Sequence, residues 1–263
     1  MKLILIGDVV AKLGRRVLAQ TLPALKKKYK PDAIIANVEN LAHGSGVTKK
    51  TLTELSSLGI SAFTGGNHSW KKDDPASDEI RGSFALALPA NDPRTIPQLA
   101  SSSLAIGKAA LHIISLEGQL EMNEEGIGSP FLAFDQLYDQ LGKPKLLLLD
   151  FHAELTSEKG AMGFYADGRA SVVYGTHTHI PTADARILAS GTGFITDIGM
   201  TGSNDSVLGV DKSVIIDRFL GNKKTFEYPE DGPAWLNAIY CELDPKTGHC
   251  TMIKQVQEYL TIK

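Results

Sequence analysis

Five short apolar runs in this chain each end on a small polar cluster, and that rhythm constrains the fold more than any other feature. LILIG leads into Asp8, AIIANV into Glu39-Asn40, ISAFTGG into Asn67-His68, LLLLDF into His152, and SVVYGT into His177-Thr178-His179. Apolar, β-branched runs of this length bounded by turn residues read as buried strands. In layered α/β folds the binding site lies just beyond the carboxyl ends of such strands. A ligand-type side chain at one strand end is ordinary; one at all five points to a metal centre.

Helical patterns separate the runs. Val17, Leu18, Leu22 and Leu25 recur at helical spacing between Gly14 and Lys28, and Pro23 inside that pattern predicts a kink or a restart. Thr51-Leu52-Thr53-Glu54 reads as a capping box opening a helix that stops at Gly59. This βαβαβ order predicts a parallel sheet with right-handed crossovers. Residues 71–100 are polar, with no strong periodicity. SLAIG and ALHIISLEG, joined around Lys108, predict a hairpin, with His112 a structural residue inside it. A helix over Phe131 to Leu141 is ended by Gly142 and Pro144, another begins near Ser157, GFITDIG is a further strand, and the tail from Trp235 to Leu260 reads as antiparallel. No repeat or linker interrupts residues 1–263, which predicts one domain of two packed sheets.

Charge and cysteine content narrow the function classes. A net charge of -3 gives no general attraction for nucleic acid or an anionic membrane, and Lys26 to Lys28 read as a solvated helix face. Cys241 and Cys250 flank a turn at Asp244 to Gly248, where they could face each other; reduced thiols are the expectation. The first apolar stretch is too short for a signal peptide or a membrane span, so a cytoplasmic protein is expected. Homo-oligomerisation is expected on general grounds.

Carboxylate, amide oxygen and imidazole together suit hard or borderline divalent ions. His177 and His179 are two apart, which on a strand would put both imidazoles on one face. Glu39 and Asn40 are adjacent, so a turn at the strand end is needed to bring both inward; Glu39 can then bridge two ions. Two ions about 3.5–4 Å apart suit phosphoryl chemistry, activating water and offsetting charge on the transition state. His68, next to Asn67, is placed to protonate a leaving oxygen. Taken singly, Asp8 is as good a turn or helix cap, Asn67-His68 a turn, and His152 a satisfied core histidine; their joint placement carries the metal reading. His43 is not read as a ligand, and His249 is given no role.

These residues sit in longer motifs. GDVV from Gly7, NVEN from Asn37, GGNHSW from Gly65, DFHAELTSEK from Asp150, DGRASVVYGTHTHIPTAD from Asp167 and TDIGMTG from Thr196 resemble the YmdB-like branch of the calcineurin-like metallophosphoesterases, with little of the resemblance beyond about residue 220. The resemblance implies an α/β four-layer αββα sandwich of two mixed sheets with a dinuclear centre at the strand ends. By motif position Asp8 and His179 would hold the first ion, Glu39 would bridge, and Asn67, His152 and His177 would hold the second. Asn40 would be an extra ligand and His68 the proton donor. Val10 stands where the wider superfamily carries a histidine. The metals expected from the resemblance are iron or manganese, divalent or mixed-valence. The activity it implies is hydrolysis of 2′,3′-cyclic nucleotides by a metal-bound hydroxide, with 3′,5′-cyclic forms as further candidates. Residues 71–100 and the acidic stretch 121–125 look idiosyncratic, so substrate preference is the least transferable expectation. Two alternatives stand: a phosphomonoesterase with the same core, and a nucleotide-sensing regulator with incidental turnover.

Overall fold

The computed structural model describes residues 1–122 and 124–263; Asn123, in the acidic stretch, lies outside them. The first half runs β1 (Lys2–Ile6), β2 (Asp8–Val9), α1 (Ala11–Tyr29), β3 (Ala33–Asn37), α2 (Lys49–Ser57), β4 (Ala62–Thr64), α3 (Asp78–Arg81), β5 (Leu86–Ala87), β6 (Ser101–Ile106) and β7 (Ala109–Glu117). The second runs α4 (Pro130–Gln140), β8 (Leu147–His152), α5 (Thr156–Tyr165), β9 (Val172–Thr176), β10 (Arg186–Ile187), β11 (Gly193–Ile195), β12 (Met200–Ser203), β13 (Ser206–Val207), β14 (Val210–Asp211), α6 (Lys212–Phe219), β15 (Gly232–Leu243) and β16 (Cys250–Ile262).

Two mixed sheets carry the molecule. One has the order β2-β12-β15-β1-β3-β4-β5, with β16 alongside β15; the other is β10-β11-β9-β8-β7-β6. β1, β3, β4 and β5 are parallel, as are β7, β8, β9 and β11, while β15 runs antiparallel to β1 and β16.

Strand alternation explains why the runs are apolar throughout. Leu3 and Leu5 point between the sheets, and Ile4 and Ile6 point toward the helices. On β8, Leu148 faces the inter-sheet core, whereas Leu147, Leu149 and Phe151 pack toward α4 and α5. A strand buried on both faces has no polar side to show. The three stacked cores thus separate four layers, helix–sheet–sheet–helix, as expected.

Some local expectations are corrected. Helix α1 begins at Ala11 and continues past Pro23, so the helix does not restart there. Its buried stripe of Val17, Leu18, Leu22 and Leu25 offsets the roughly 3 kcal/mol that an internal proline costs. The capping box is formed by Thr48 and Thr51, one turn earlier than Thr51 and Glu54. Cys241 and Cys250 are buried, free and not opposite one another: Cys241 faces Ile253 across the hairpin, and Cys250 faces Leu243. The remaining strands, the 101–117 hairpin and the antiparallel tail lie where expected. Among the described residues, no helix is long and apolar enough to cross a membrane.

Candidate metal centre

All five clusters meet at one place, the carboxyl ends of β1, β3, β4, β8 and β9. The ends of the two sheets are tied together there by Asp150, which points between them. It accepts hydrogen bonds from Asn37 Nδ2 (3.0 Å) and Thr64 Oγ1 on one sheet and from Thr176 Oγ1 (2.6 Å) on the other. Burial raises the Asp150 carboxyl to about 6 against the pull of these donors.

Above that tie, ligand-type atoms converge in two overlapping groups: Glu39, His152 and His177, and Asp8, Glu39 and His179. Within each group one ligand atom per residue lies within 4.8 Å of the others. Glu39 belongs to both. His152 Nε2 lies 3.0 Å from Glu39 Oε2, 3.1 Å from Asn67 Oδ1 and 3.1 Å from His177 Nδ1. Gly66 permits this approach, because a Cβ there would fall 2.3 Å from His152 Nε2 and 2.4 Å from Glu39 Oε2.

The surrounding bonds fix which nitrogen each ring presents. Thr176 donates to Asp150, so it accepts from His152 Nδ1 at 2.9 Å, and Nε2 is left facing the cluster. His179 Nδ1 donates to the Leu208 carbonyl (3.0 Å), which likewise turns Nε2 inward. His177 Nε2 lies 3.2 Å from Glu154, so Nδ1 faces inward. Glu154, Thr176 and Leu208 were missed from sequence because none is a ligand; only their contacts with the imidazoles reveal them.

His177 and His179 do not converge through strand pleating as expected. β9 ends at Thr176, and both histidines sit beyond it at positive φ (93° and 65°), each in a different group. That turn is held from behind by a buried ion pair. Lys159 Nζ bonds Asp197 Oδ2 (2.6 Å) and the Thr176 carbonyl (2.8 Å), and Asp197 also accepts from Thr178 and Gly199.

Asn40 and His68 occupy the rim. Asn40 Nδ2 lies 2.7 Å from Glu39 Oε1 and 3.1 Å from His179 Nε2, while its Oδ1 pairs with His68 Nδ1 at 2.9 Å. Asn40 therefore turns its amide nitrogen inward here, and a half-turn of the amide would present the oxygen to a cation. His68 bonds Glu39 through its backbone N–H (3.0 Å) and keeps its ring at the opening, half-buried, with its pKa raised by the contact with Glu39. His43, His112 and His249 lie outside both groups.

The donor set fits divalent cations. Asp8 Oδ1 is buried with no hydrogen-bond partner among the described residues, an orphan acceptor that a cation would satisfy. Burial pushes the Asp8 carboxyl up. Burial acts on Glu39 in the same direction, but the imidazoles of His152 and His68 hold it well below the usual range. His152 suffers burial yet is driven up to about 9 by Glu39 and Asp8, and burial together with His152 drives His177 down to about 3. Positive charge on His152 and negative charge on Glu39 thus favour one another at the centre of the cluster. Glu117, the neighbour of His152 on β7, is also buried, has both oxygens unpartnered among the described residues, and is raised by burial to about 7.

Comparison with known proteins places the chain in a family. The profile of the YmdB-like protein family matches residues 4–256, so the likeness extends past residue 220, where the recognisable motifs stop. The 2′,3′-cyclic-nucleotide 2′-phosphodiesterase of Bacillus subtilis (strain 168) is 40% identical over 97% of this chain and 96% of its own. The crystal structure of a novel phosphatase from Mycoplasma pneumoniae superposes with a TM-score of 0.92 at 33% identity, covering 100% of this chain and 94% of that one. A 5′-nucleotidase precursor from Thermus thermophilus, at 13% identity and a TM-score of 0.56, shares the fold over 99% of this chain and 54% of its own. The chain belongs to the YmdB-like family of metallophosphoesterase-fold proteins.

Proposed function

We propose that the protein is a dinuclear-metal phosphodiesterase that hydrolyses 2′,3′-cyclic nucleotides. The observation that carries this reading is the pair of ligand groups sharing Glu39, seated in a chain 40% identical to a 2′,3′-cyclic-nucleotide 2′-phosphodiesterase. In this reading Asp8 and His179 would hold one ion, Asn67, His152 and His177 the other, Glu39 would be shared by both, and Asn40 would add its amide oxygen after turning. The mixed oxygen and imidazole set suits iron or manganese. When bound, two such ions supply Lewis-acid activation of water and of the phosphoryl oxygens.

The chain's own residues do the rest. Thr176, Leu208 and Glu154 hold the three imidazoles in the ligating tautomer. Lys159 and Asp197 fix the turn that carries two of them. His68, at the opening and with its proton stabilised by Glu39, donates that proton to the departing 2′ oxygen. A strained five-membered cyclic diester asks little of the acid, so the same site accepts other small phosphoesters more slowly.

The test is hydrolysis of 2′,3′-cyclic AMP and of p-nitrophenyl phosphate by Mn²⁺-loaded protein, with Glu39→Gln as control. Turnover of the diester that disappears in the variant supports the proposal. Turnover of the monoester alone makes the enzyme a phosphatase with the same core, and no turnover of either by metal-loaded protein would favour a nucleotide sensor.

A further inference from the structure

Beside the ligand cluster opens a cavity of about 610 Å³ that no ligand residue accounts for at its far end. Part of its lining is polar, with Glu39, His68, His177 and His179. The arm between β12 and β15 contributes Leu208, Arg218, Phe219, Phe226 and Tyr228. A ligand filling it meets both the titratable groups of the cluster and an apolar, aromatic surface. The volume suits a ligand of nucleotide size.

We propose that this arm is the nucleobase wall of the site, holding the base by stacking and leaving its identity unread. The proposal rests on the cyclic-nucleotide reading above and deepens it. Arg218 lies over the Phe226 ring with its guanidinium carbon 4.7 Å from the centroid, and its Nη1 is held by the Lys224 carbonyl at 2.8 Å. Aromatic faces and guanidinium planes are the surfaces on which proteins stack unpaired bases. Tyr228 is set rigidly: its hydroxyl donates to the Gly44 carbonyl at 3.4 Å, and its ring lies so close over Gly44 that a Cβ there would sit 2.0 Å from Cζ. Val10 and Met200 pack behind it. Val10 also lines the cavity, so the apolar wall begins at the position where the wider superfamily resemblance would place a histidine.

Discrimination between bases needs donors and acceptors matched to their edges. The arm's polar side chains on the cavity are Arg218, a donor-only group with one Nη1 proton on the Lys224 carbonyl, and Tyr228, whose hydroxyl proton goes to Gly44, so the arm presents no matched set of donors and acceptors to a base edge. The other arm residues there are apolar. Selectivity should therefore follow stacking area, purines above pyrimidines by a few fold.

The experiment is steady-state kinetics of Mn²⁺-loaded enzyme on the four 2′,3′-cyclic nucleotides and on glycerol 1,2-cyclic phosphate, which has the diester without a base. The expected kcat/KM is about tenfold or more higher for the cyclic nucleotides, from the loss of one stacked base. Phe226→Ala should collapse that ratio toward one, mainly through KM, and Phe226→Trp should restore it; Phe226 is half-exposed, so both variants should fold. A wild-type ratio near one would overturn the wall, as would an equal loss on both substrates in Phe226→Ala. Preference for one base by a hundredfold would overturn the stacking account. If neither diester is hydrolysed, the phosphodiesterase reading fails, and calorimetry of 3′-AMP against ribose 5-phosphate still decides the wall: tighter 3′-AMP binding that Phe226→Ala abolishes supports it, and equal binding sinks it.

Discussion

The ligand cluster and the arm at the far end of the cavity are built on opposite principles. Every imidazole in the cluster has a named partner behind it, and the cluster sits on the ends of strands from two packed sheets: Asp8, Glu39, His152 and Asp150 are all 1% exposed or less. The arm leaves Phe219 88% and Leu220 73% exposed and Phe226 half-exposed beneath Arg218, and only Tyr228, seated on Gly44, Val10 and Met200, is packed against the body of the protein. The cluster must place charges within tenths of an ångström, which takes a rigid, over-determined setting. A wall that only offers flat surface needs no such precision. On the function proposed above, chemistry falls to the rigid part and substrate choice to the more exposed arm; the two touch where Leu208, on the arm, accepts from His179.

The comparison predicts its largest effect at the shared ligand. Glu39→Gln removes the one carboxylate common to both ligand groups and leaves His152 and His68 facing a neutral amide. Turnover should fall by about 10³-fold or more, together with both metals. Metal content measured by mass spectrometry beside kcat checks this; full metal occupancy with full activity would refute the bridge.

Next comes the ion pair behind the histidine turn. Lys159→Met strands Asp197 as a buried, unpaired charge, since both side chains are 1% exposed. The expected loss is about 3–5 kcal/mol, and the double variant Lys159→Met/Asp197→Asn should recover part of it. Urea unfolding distinguishes the cases, and a single variant no weaker than the double would show that the pair holds nothing.

Glu117 tests the same region by pH. In metal-free protein its carboxyl is raised by burial from 4.5 to about 7. The folded state keeps that proton over a range where the unfolded chain has lost it, so this group makes stability fall as pH rises from 4.5 to 7 and adds no slope above. Glu117→Gln should match wild type near pH 5 and exceed it by roughly 3 kcal/mol at pH 8, at about 1.36 kcal/mol per unit. Unfolding of chelator-treated protein at both pH values gives the answer; a variant less stable at pH 8 would mean that the carboxylate is stabilised by a partner.

How much of this could be read in the sequence follows the same division. The strand ends were legible because doubly buried strands are written as unbroken apolar runs, and a carboxylate, amide or imidazole after each is conspicuous. The residues that set the imidazoles were not. Thr176 and Lys159 lie inside quoted motifs, yet their roles exist only as hydrogen bonds to groups far away in the chain. That α1 continues past Pro23 was not legible, because local propensity cannot see the sheet that α1 packs on. The arm was silent, since 204–231 has neither strand alternation nor a long helical stripe, and its value lies in where it folds back. Thr176→Val probes the hidden tier: it keeps shape and removes the acceptor for His152 Nδ1, so metal affinity should fall about 10–100-fold with the fold intact. Affinity unchanged in a competitive chelator titration would reduce Thr176 to packing.

The smallest expected effect belongs to the arm. Phe219→Ser removes a large apolar ring, which in the cores around β1 or β8 would cost several kcal/mol. At 88% exposure there is little burial to lose, and α6 keeps its cap through Asp211, which accepts from the Ser213 and Val214 amides. Stability should therefore change by no more than about 0.5 kcal/mol in urea unfolding, while KM for 2′,3′-cyclic AMP rises a few fold. A loss of about 2 kcal/mol or more would mean that the ring is covered in solution, by a second copy of the chain or by closure of the arm over the cavity; sedimentation at several protein concentrations separates these, because only the first depends on concentration. The arm would then be an element fixed by association or closure, and the contrast with the ligand cluster would narrow to the time at which each is set.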